Sequence, residues 1–556
     1  MITKISSANY KAFDSFELEL KPITVLLGAN SCGKSAIINS ILMLSQTCES
    51  ISMSDSPLRL NGKRVGMGEA LNIIKDKNKS KKLIFNMQMP VSREIRRSVN
   101  SLCNDLIDFH VGIANLLTRI YGEDKRLKSY GKFRRDFLGG IYFQTDKNDK
   151  TFLKKLSLYL KKIISIYREE PKKLKDKRRG MYSEVYEYLD TIPLSQIDYC
   201  LNKIVIIPAG KLSATNVEYQ FSYVNSMENL KISKVTLKNS ANEIIACIDN
   251  NKKLNFNSSL IEDNFIYKAK KTLYKLINMK SFNLIEIDSH IRSNMVFIRK
   301  INNPLSYFLA MIVKISIDNL TSDFIGNAIN HVTPLRAFPQ RYYLLDKSIH
   351  HEKLDASSGT ELAEVLKNNR KILDRINNYL IEFNIQIDID KVNDIIHKIV
   401  VNQNSSINLE LTDVGFGISQ VLPILVQALI SPEESLTIIE QPEIHLHPKM
   451  QAWLIDALIN IALNDNKKFL IETHSDTIIR RLRLRVVDEK SKLTTDDVSI
   501  CHLERNYEKK CSELTNIKIN ENGDIKYPKG FMDIEIEDTL AIFEMNLNKE
   551  NNKEVH

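Results

Sequence analysis

From residue 4 the chain alternates apolar and polar positions through Ile5-Ser-Ser-Ala-Asn-Tyr-Lys-Ala-Phe and Phe16-Glu-Leu-Glu-Leu. It then turns continuously apolar at Ile23-Thr-Val-Leu-Leu. Alternation predicts two edge strands, and the apolar run predicts a buried one. Residues 34–46 switch to helical spacing through Ile37, Ile38, Ile41, Leu42 and Leu44. Short strands are predicted over 58–90. After Pro90 the period is that of long amphipathic helices up to residue 200, with Leu153, Leu156, Leu160, Ile163, Ile164 and Tyr167 on one face. A strand is predicted at Ile204–Pro208. Residues 230–330 read as mixed and then mostly helical, and helices return over 362–395. Thereafter strands and helices alternate: a strand at 406–411, a helix at 417–430, a buried strand at Leu436–Glu440, a helix at 448–464 and a strand at Lys468–Glu472. The tail after 544 is polar and expected to fray. No internal repeat and no heptad run of coiled-coil length interrupts this order, so the middle is expected to be a compact insertion.

A chain of 556 residues is too long for one core, so two or three lobes are expected. Composition adds little to that: 43% apolar and 26% charged residues are ordinary for a soluble protein. No run of 18 apolar residues offers a membrane span. The start, Met1-Ile-Thr-Lys, has neither the apolar core nor the cleavage site of a signal peptide. The seven cysteines, at 32, 48, 103, 200, 247, 501 and 511, form no Cys-x-x-Cys pair, which points to a reducing cytoplasm without zinc site or disulfide frame. Charge changes the picture more. The net charge is +10, and residues 121–180 alone hold 19 Lys or Arg against 8 Asp or Glu. The run Lys172, Lys173, Lys175, Lys177, Arg178 and Arg179 is a candidate nucleic-acid contact; a solvated helical face is the other reading.

Chemistry concentrates in four places. Gly28-Ala-Asn-Ser-Cys-Gly33-Lys34-Ser35 is a complete P-loop between an apolar strand and a helix. Its glycines let backbone N–H groups wrap a phosphate, and Asn30 faces the same loop. Lys34 is expected to bridge the β- and γ-phosphates of ATP, and Ser35 to ligate Mg²⁺. Glu440 ends an apolar strand, as an acid placed beside that metal would. After it comes Gln441-Pro-Glu443-Ile-His445-Leu-His447-Pro. His474 follows the next strand and could reach the γ-phosphate and align water. Finally, Gly415, Gly417 and Ser419 open an apolar helix and would form a second anion cradle; a plain capped helix is the alternative. One P-loop and one remote cradle in one chain suggest composite sites between two copies.

This order of motifs resembles the ABC-type ATPase heads of the RecF and OLD group. The resemblance implies an α/β fold, a two-lobed ABC-type P-loop ATPase head with a mostly helical insertion. In that pattern Gly28–Ser35 is Walker A, Glu440 the Walker B metal acid, Gly415–Gln420 the signature, His445–His447 the D-loop place and His474 the switch histidine. Two departures stand out: Gly415 occupies the place of the usual signature serine, and Gln441 that of the usual second acid. A glutamine amide is no general base, so Glu443 is the nearest carboxylate to substitute.

A narrower likeness rests on Glu440–Pro448, on Thr333-Pro-Leu-Arg336-Ala-Phe-Pro-Gln-Arg341-Tyr-Tyr and on Gly523–Phe531. It is to AAA-family ATPases with a DUF3696-type C-terminus, in particular the PtuA type of Septu and retron anti-phage systems, where Gln441 is usual. Gln441 in the base position predicts slow ATP hydrolysis, and the pairing of one P-loop with one cradle predicts a homodimer or higher homo-oligomer; the likeness implies a separate HNH nuclease partner and, in the retron form, a reverse transcriptase with its RNA–DNA. A repair or recombination ATPase acting directly on DNA, or a nucleotide-dependent scaffold, would fit the same head. The acids Asp533, Glu535, Glu537 and Asp538 follow the closing motif and read as a solvated helix face, so any cutting is expected of a partner. The expected parts are an N-terminal head lobe (1–90), a basic helical insertion (91–202), a mixed, largely helical middle (203–330), a C-terminal head lobe (331–490), a DUF3696-like segment (491–545) and a tail (546–556).

Overall fold

The computed structural model describes residues 1–50, 56–138, 149–171, 183–285, 303–336, 339–344, 361–393, 395–403, 407–526 and 540–545. The chain opens with β1 (Lys4–Tyr10), β2 (Phe13–Glu19) and β3 (Ile23–Gly28), strands where the alternation and the apolar run predict them, although β1 is paired on both sides and is not the edge strand expected. Next come β4 (Leu83–Gln88), β5 (Asn216–Val224), β6 (Asn229–Lys238), β7 (Ile244–Asp249) and β8 (Asn255–Asn257). With β1 and β2 they form a seven-stranded antiparallel sheet of order β2-β1-β4-β5-β6-β7-β8. β9 (Ile329–Val332) leads to a small four-stranded sheet of β10 (Tyr343–Leu344), β11 (Ile385–Lys391), β12 (Ile396–Gln403) and β13 (Ile407–Glu410). The last strands are β14 (Leu436–Glu440), β15 (Lys468–Glu472), β16 (Val498–Asn506) and β17 (Cys511–Ile517).

The central sheet, β17-β16-β3-β15-β14-β9, positions the chemistry. Its strands are parallel except β17, which returns antiparallel on β16. A parallel sheet covered on both faces needs apolar side chains on both, and this one separates two cores. Leu26, Ile438, Leu470 and Cys501 face one, while Ile23, Val25, Leu27, Ile439, Phe469 and Ile471 face the other. The architecture is α/β: a two-lobed P-loop head with helices inserted between β4 and β5.

That insertion begins with the helix Arg93–Tyr121. Ser92 Oγ accepts from the Ile95 N–H at 3.1 Å, a cap worth about 1 kcal/mol. Ile95, Val99, Leu102, Leu106, Ile113 and Leu117 line its buried face, which packs against the helices Lys150–Glu169 and Pro304–Ser322. His110 is wholly buried there. Its Nδ1 donates to Leu106 O at 2.7 Å, since a carbonyl can only accept, and Nε2 has no partner. Burial pulls its pKa from 6.5 to about 4. The unfolded chain therefore takes up this proton first as pH falls. The stabilisation is complete above 6.5 and is lost between 6.5 and about 4, a swing of about 3 kcal/mol. His110→Leu should therefore gain thermal stability relative to the parent between pH 7.5 and pH 4.5 (~3 pH units). A Tm gap independent of pH would refute the assignment.

The structure departs from the sequence pattern in four places. Ile204–Pro208 is no strand: Cys200–Ile204 prolongs the helix Leu194–Tyr199 as a π-turn. Burial of Tyr199, Cys200, Leu201 and Ile204 follows a helical face, while Ile206 is exposed. Residues 58–90 hold one strand, β4, and two 3₁₀ turns, Ala70–Ile73 and Lys75–Lys77. The helices expected over 362–395 end by Phe383, and β11 follows. Residues 216–257 are strands that extend the N-terminal sheet, so the stretch from 203 is less helical than its composition suggests. After residue 490, β16 pairs in parallel with β3, which makes these strands part of the P-loop sheet. The basic run Lys172, Lys173, Lys175, Lys177, Arg178 and Arg179 lies outside the described residues, as do Asp533, Glu535, Glu537 and Asp538.

Candidate functional site

β3 ends at Gly28, and the backbone must turn at once. Gly28 has φ +143 and Gly33 φ +114, values that L side chains rarely adopt. A Cβ on Gly28 would lie 2.2 Å from Leu503 O, and one on Gly33 2.6 Å from the Phe13 ring. Sterics and backbone thus both demand glycine at the two positions that define the loop. The helix Lys34–Cys48 starts without a side-chain cap, which leaves its first N–H groups and the positive end of its dipole for an anion. Ala29, Asn30, Ser31 and Ser35 are exposed around it.

Lys34 turns inward and is buried. Its Nζ donates to Gly28 O and Ala29 O, both at 2.9 Å, and stands 3.8 Å from Glu472 Oε1. Glu472 ends β15 beside Glu440 at the end of β14, in parallel register. Burial, then the Glu440 charge, hold the Glu472 carboxyl well above the usual carboxylate range, with Lys34 opposing. Glu440 Oε1 lies 2.6 Å from His331 Nε2 on β9.

Beneath this end of β14 sits Arg336, also buried. One of its terminal nitrogens donates to Glu440 O and Gln441 O, both at 3.1 Å, while the other and Nε have no partner. Burial pulls its guanidinium down to about 10, against the Glu443 charge. Gln441, at φ +44, donates its N–H to Glu472 O at 2.7 Å. Glu443 Oε1 accepts the His474 N–H at 2.7 Å, and its Oε2 is buried without partner. The His474 ring is exposed, and burial and then the Lys34 charge lower its pKa. It is therefore neutral near pH 7 and able to accept as well as donate.

Of the residues expected from sequence, Lys34 is joined to the acidic end of β15 and β14, and Glu443 to His474. Ser35 and Asn30 lie exposed on the loop. Gly415 is exposed as the uncapped start of the helix Phe416–Ile430. Gly417 instead serves packing, since a Cβ there would meet Met450 Sδ at 2.9 Å. Ser419 is 3% exposed and turned into the chain, so the second cradle presents backbone rather than this hydroxyl. His447 Nδ1 accepts the Lys449 N–H at 3.3 Å and caps the helix Pro448–Asn464. Sequence reasoning missed Glu472, His331 and a role for Arg336. The signal for Glu472 was available: Lys468-Phe-Leu-Ile-Glu ends in an acid as Leu436-Thr-Ile-Ile-Glu does.

Among the described residues no group of three or more His, Cys, Asp or Glu forms a metal cage. Mg²⁺ needs none, because it takes oxygen donors, keeps waters and is held by one or two carboxylates together with phosphates. The Ser35 hydroxyl and the Glu440 carboxylate are donors of that kind.

A family model described as AAA ATPase domain matches residues 1–479. No curated protein matches the sequence. Among solved structures, the SMC head domain from Thermotoga maritima aligns over 93% of this chain and 99% of its own, at 8% identity and TM-score 0.30. An SMC head bound to the C-terminal winged-helix domain of ScpA aligns over 93% and 98%, at 8% identity and TM-score 0.36. An SMC head with an extended coiled coil, bound to the C-terminal domain of ScpA derived from Pyrococcus furiosus, aligns over 98% of each chain, at 8% identity and TM-score 0.30.

Proposed function

Because the chain belongs to the AAA ATPase domain family over residues 1–479 of its 556, we propose that it binds Mg–ATP at Gly28–Ser35 and hydrolyses it slowly between two heads. In this reading the closed dimer is the gate of an anti-phage defence assembly and restrains a separate HNH nuclease. The observation that carries the ATPase reading is the meeting of Lys34, Glu440, Glu472, Glu443 and His474 at the C-terminal ends of β3, β14 and β15.

The loop N–H groups and the helix start hold the phosphates, and Lys34 neutralises them. Ser35 and Glu440 hold Mg²⁺, which when bound supplies positive charge to the phosphate oxygens. His331 and Arg336 fix Glu440, the first through its carboxylate and the second through its carbonyl. Gln441 can position a water but not deprotonate it. Glu443 is a carboxylate with one oxygen unpaired, and it is tied to the backbone of His474. It is the base in this reading, with neutral His474 aligning the attacking water.

The exposed Gly415 turn supports a head-to-head site, with one copy's signature facing the other's P-loop. Light scattering at micromolar chain should show a dimer with Mg–ATP. Lys34→Ala should leave the monomer under the same conditions, and a parent that stays monomeric with Mg–ATP would contradict the composite site. The defence reading rests on the likeness of Glu440–Pro448 and Gly523–Phe531 to the Septu and retron ATPases. A nucleic-acid contact, including the RNA–DNA and reverse transcriptase of a retron, is supported by the basic stretch 121–180, where Lys154, Lys155 and Lys162 are exposed on the helix Lys150–Glu169. Co-expression with a Septu-type HNH nuclease should yield a complex that survives purification in Mg–ATP and is lost with Lys34→Ala. Turnover stimulated by DNA alone, with no such complex, would favour a repair ATPase.

A further inference from the structure

Three charged side chains, two of them buried, meet where β3, β15 and β14 end. Lys34 and Glu472 are 4% and 6% exposed and 3.8 Å apart. β15 lies between the P-loop strand and the strand of Glu440, with Glu472 opposite Leu26 on one side and Glu440 on the other. The Glu472 and Glu440 carboxyls thus stand side by side at the ends of neighbouring strands. The ammonium of Lys34 has three donors. Two go to Gly28 O and Ala29 O, and Glu472 Oε1 is the anion next to it. The P-loop lysine therefore already has a counter-charge within the chain, and that counter-charge is not the acid expected to hold the metal.

We propose that Glu472 is a positioning residue that holds Lys34 and makes nucleotide binding conditional on the divalent cation. The inference rests on the reading that Gly28–Ser35 binds ATP. A phosphate needs the ammonium of Lys34 and must draw it from Glu472. Removing one partner of a buried ion pair leaves the other uncompensated, which is costly. ATP without a cation would make matters worse, bringing more negative charge beside Glu440 and Glu472 where little water screens it. With a cation alongside, the two carboxylates face a positive charge, and Lys34 can turn to the phosphates without stranding Glu472. Glu472 thus selects the metal-loaded nucleotide.

Glu472→Gln keeps the size but removes the charge that holds Lys34. The test is equilibrium binding of labelled ATP to the full chain, with Mg²⁺ and with a chelator in its place. The parent should strongly prefer Mg–ATP. Glu472→Gln should bind metal-free ATP at least about tenfold tighter than the parent, with Mg–ATP affinity within about threefold, so the preference falls. A merely structural role would shift both affinities together and leave their ratio unchanged, and that result would overturn the proposal. Glu472→Asp keeps the charge with a shorter reach and should lower the ratio less, in the same direction. It carries the test if the glutamine variant does not fold, and a parent-like ratio in it would then be the refuting result. A parent that binds neither form of ATP would instead bring down the ATP reading itself, and this inference with it.

Discussion

Lys34→Ala should lower ATP affinity on the order of 100-fold, because a charge-assisted hydrogen bond to phosphate is worth ~2–3 kcal/mol. The expectation follows from where the side chain sits. Lys34 is buried, its backbone opens the helix whose first N–H groups are uncapped, and its Nζ already bridges the two ends of the loop at Gly28 O and Ala29 O. Alanine removes the only lysine of the loop and leaves Glu472 beside Glu440 without its cation. Two costs follow, one to binding and one to folding, and they are separable. Binding of labelled nucleotide reads the first, and thermal unfolding without nucleotide reads the second. A folded variant with parent affinity would remove the P-loop from the account.

What the sequence made legible was local. The loop glycines and the lysine fall within eight consecutive residues, with the helix directly behind them, and their chemistry does not depend on distant pairing. Glu440 was legible because an apolar strand ending in an acid is a local pattern too. His331 and Arg336 were not, because they reach Glu440 only through the parallel pairing of β9 with β14, across more than a hundred residues of chain. Nothing in the spacing of an isolated strand says which neighbour it will find. Glu472 failed for another reason: its strand was read for the histidine two residues later. Parallel register sets Glu472 level with Glu440 and turns two separate strand-end acids into a pair. The fold shows the same division. The spans of β1 and β2 were legible from alternation and that of β3 from its apolar run, whereas the inner place of β1, the return of residues 216–257 to the first sheet and of 498–506 to the second depend on pairing that these patterns do not encode. At Ile204–Pro208 a β-branched run was outweighed by the helix that precedes it.

Glu440→Ala should abolish turnover. Glu440 is the carboxylate at the end of β14 that two contacts hold in place, His331 Nε2 on its side chain and Arg336 on its carbonyl. An acid so constrained presents its remaining valence in a fixed direction, which is what a metal ligand requires. Glu443→Gln should lower turnover at least about tenfold, within the range that general acid–base catalysis contributes. Its charge is what Arg336 feels, and its second oxygen is the unpaired one. Neither variant touches Lys34, so both should still bind ATP. If Glu443→Gln keeps the parent rate, the base lies elsewhere while the metal assignment stands.

The most direct test is single-turnover hydrolysis of Mg–ATP by the parent, Glu443→Gln and Glu440→Ala, with bound nucleotide measured in the same samples. The account expects the parent to hydrolyse below about 1 s⁻¹, under the usual enzyme range, Glu443→Gln to be at least about tenfold slower, and Glu440→Ala to hold ATP without cleaving it. Cleavage by Glu440→Ala at the parent rate, or a parent that binds Mg–ATP and never cleaves it, would contradict the claim that these strand ends form an ATPase site.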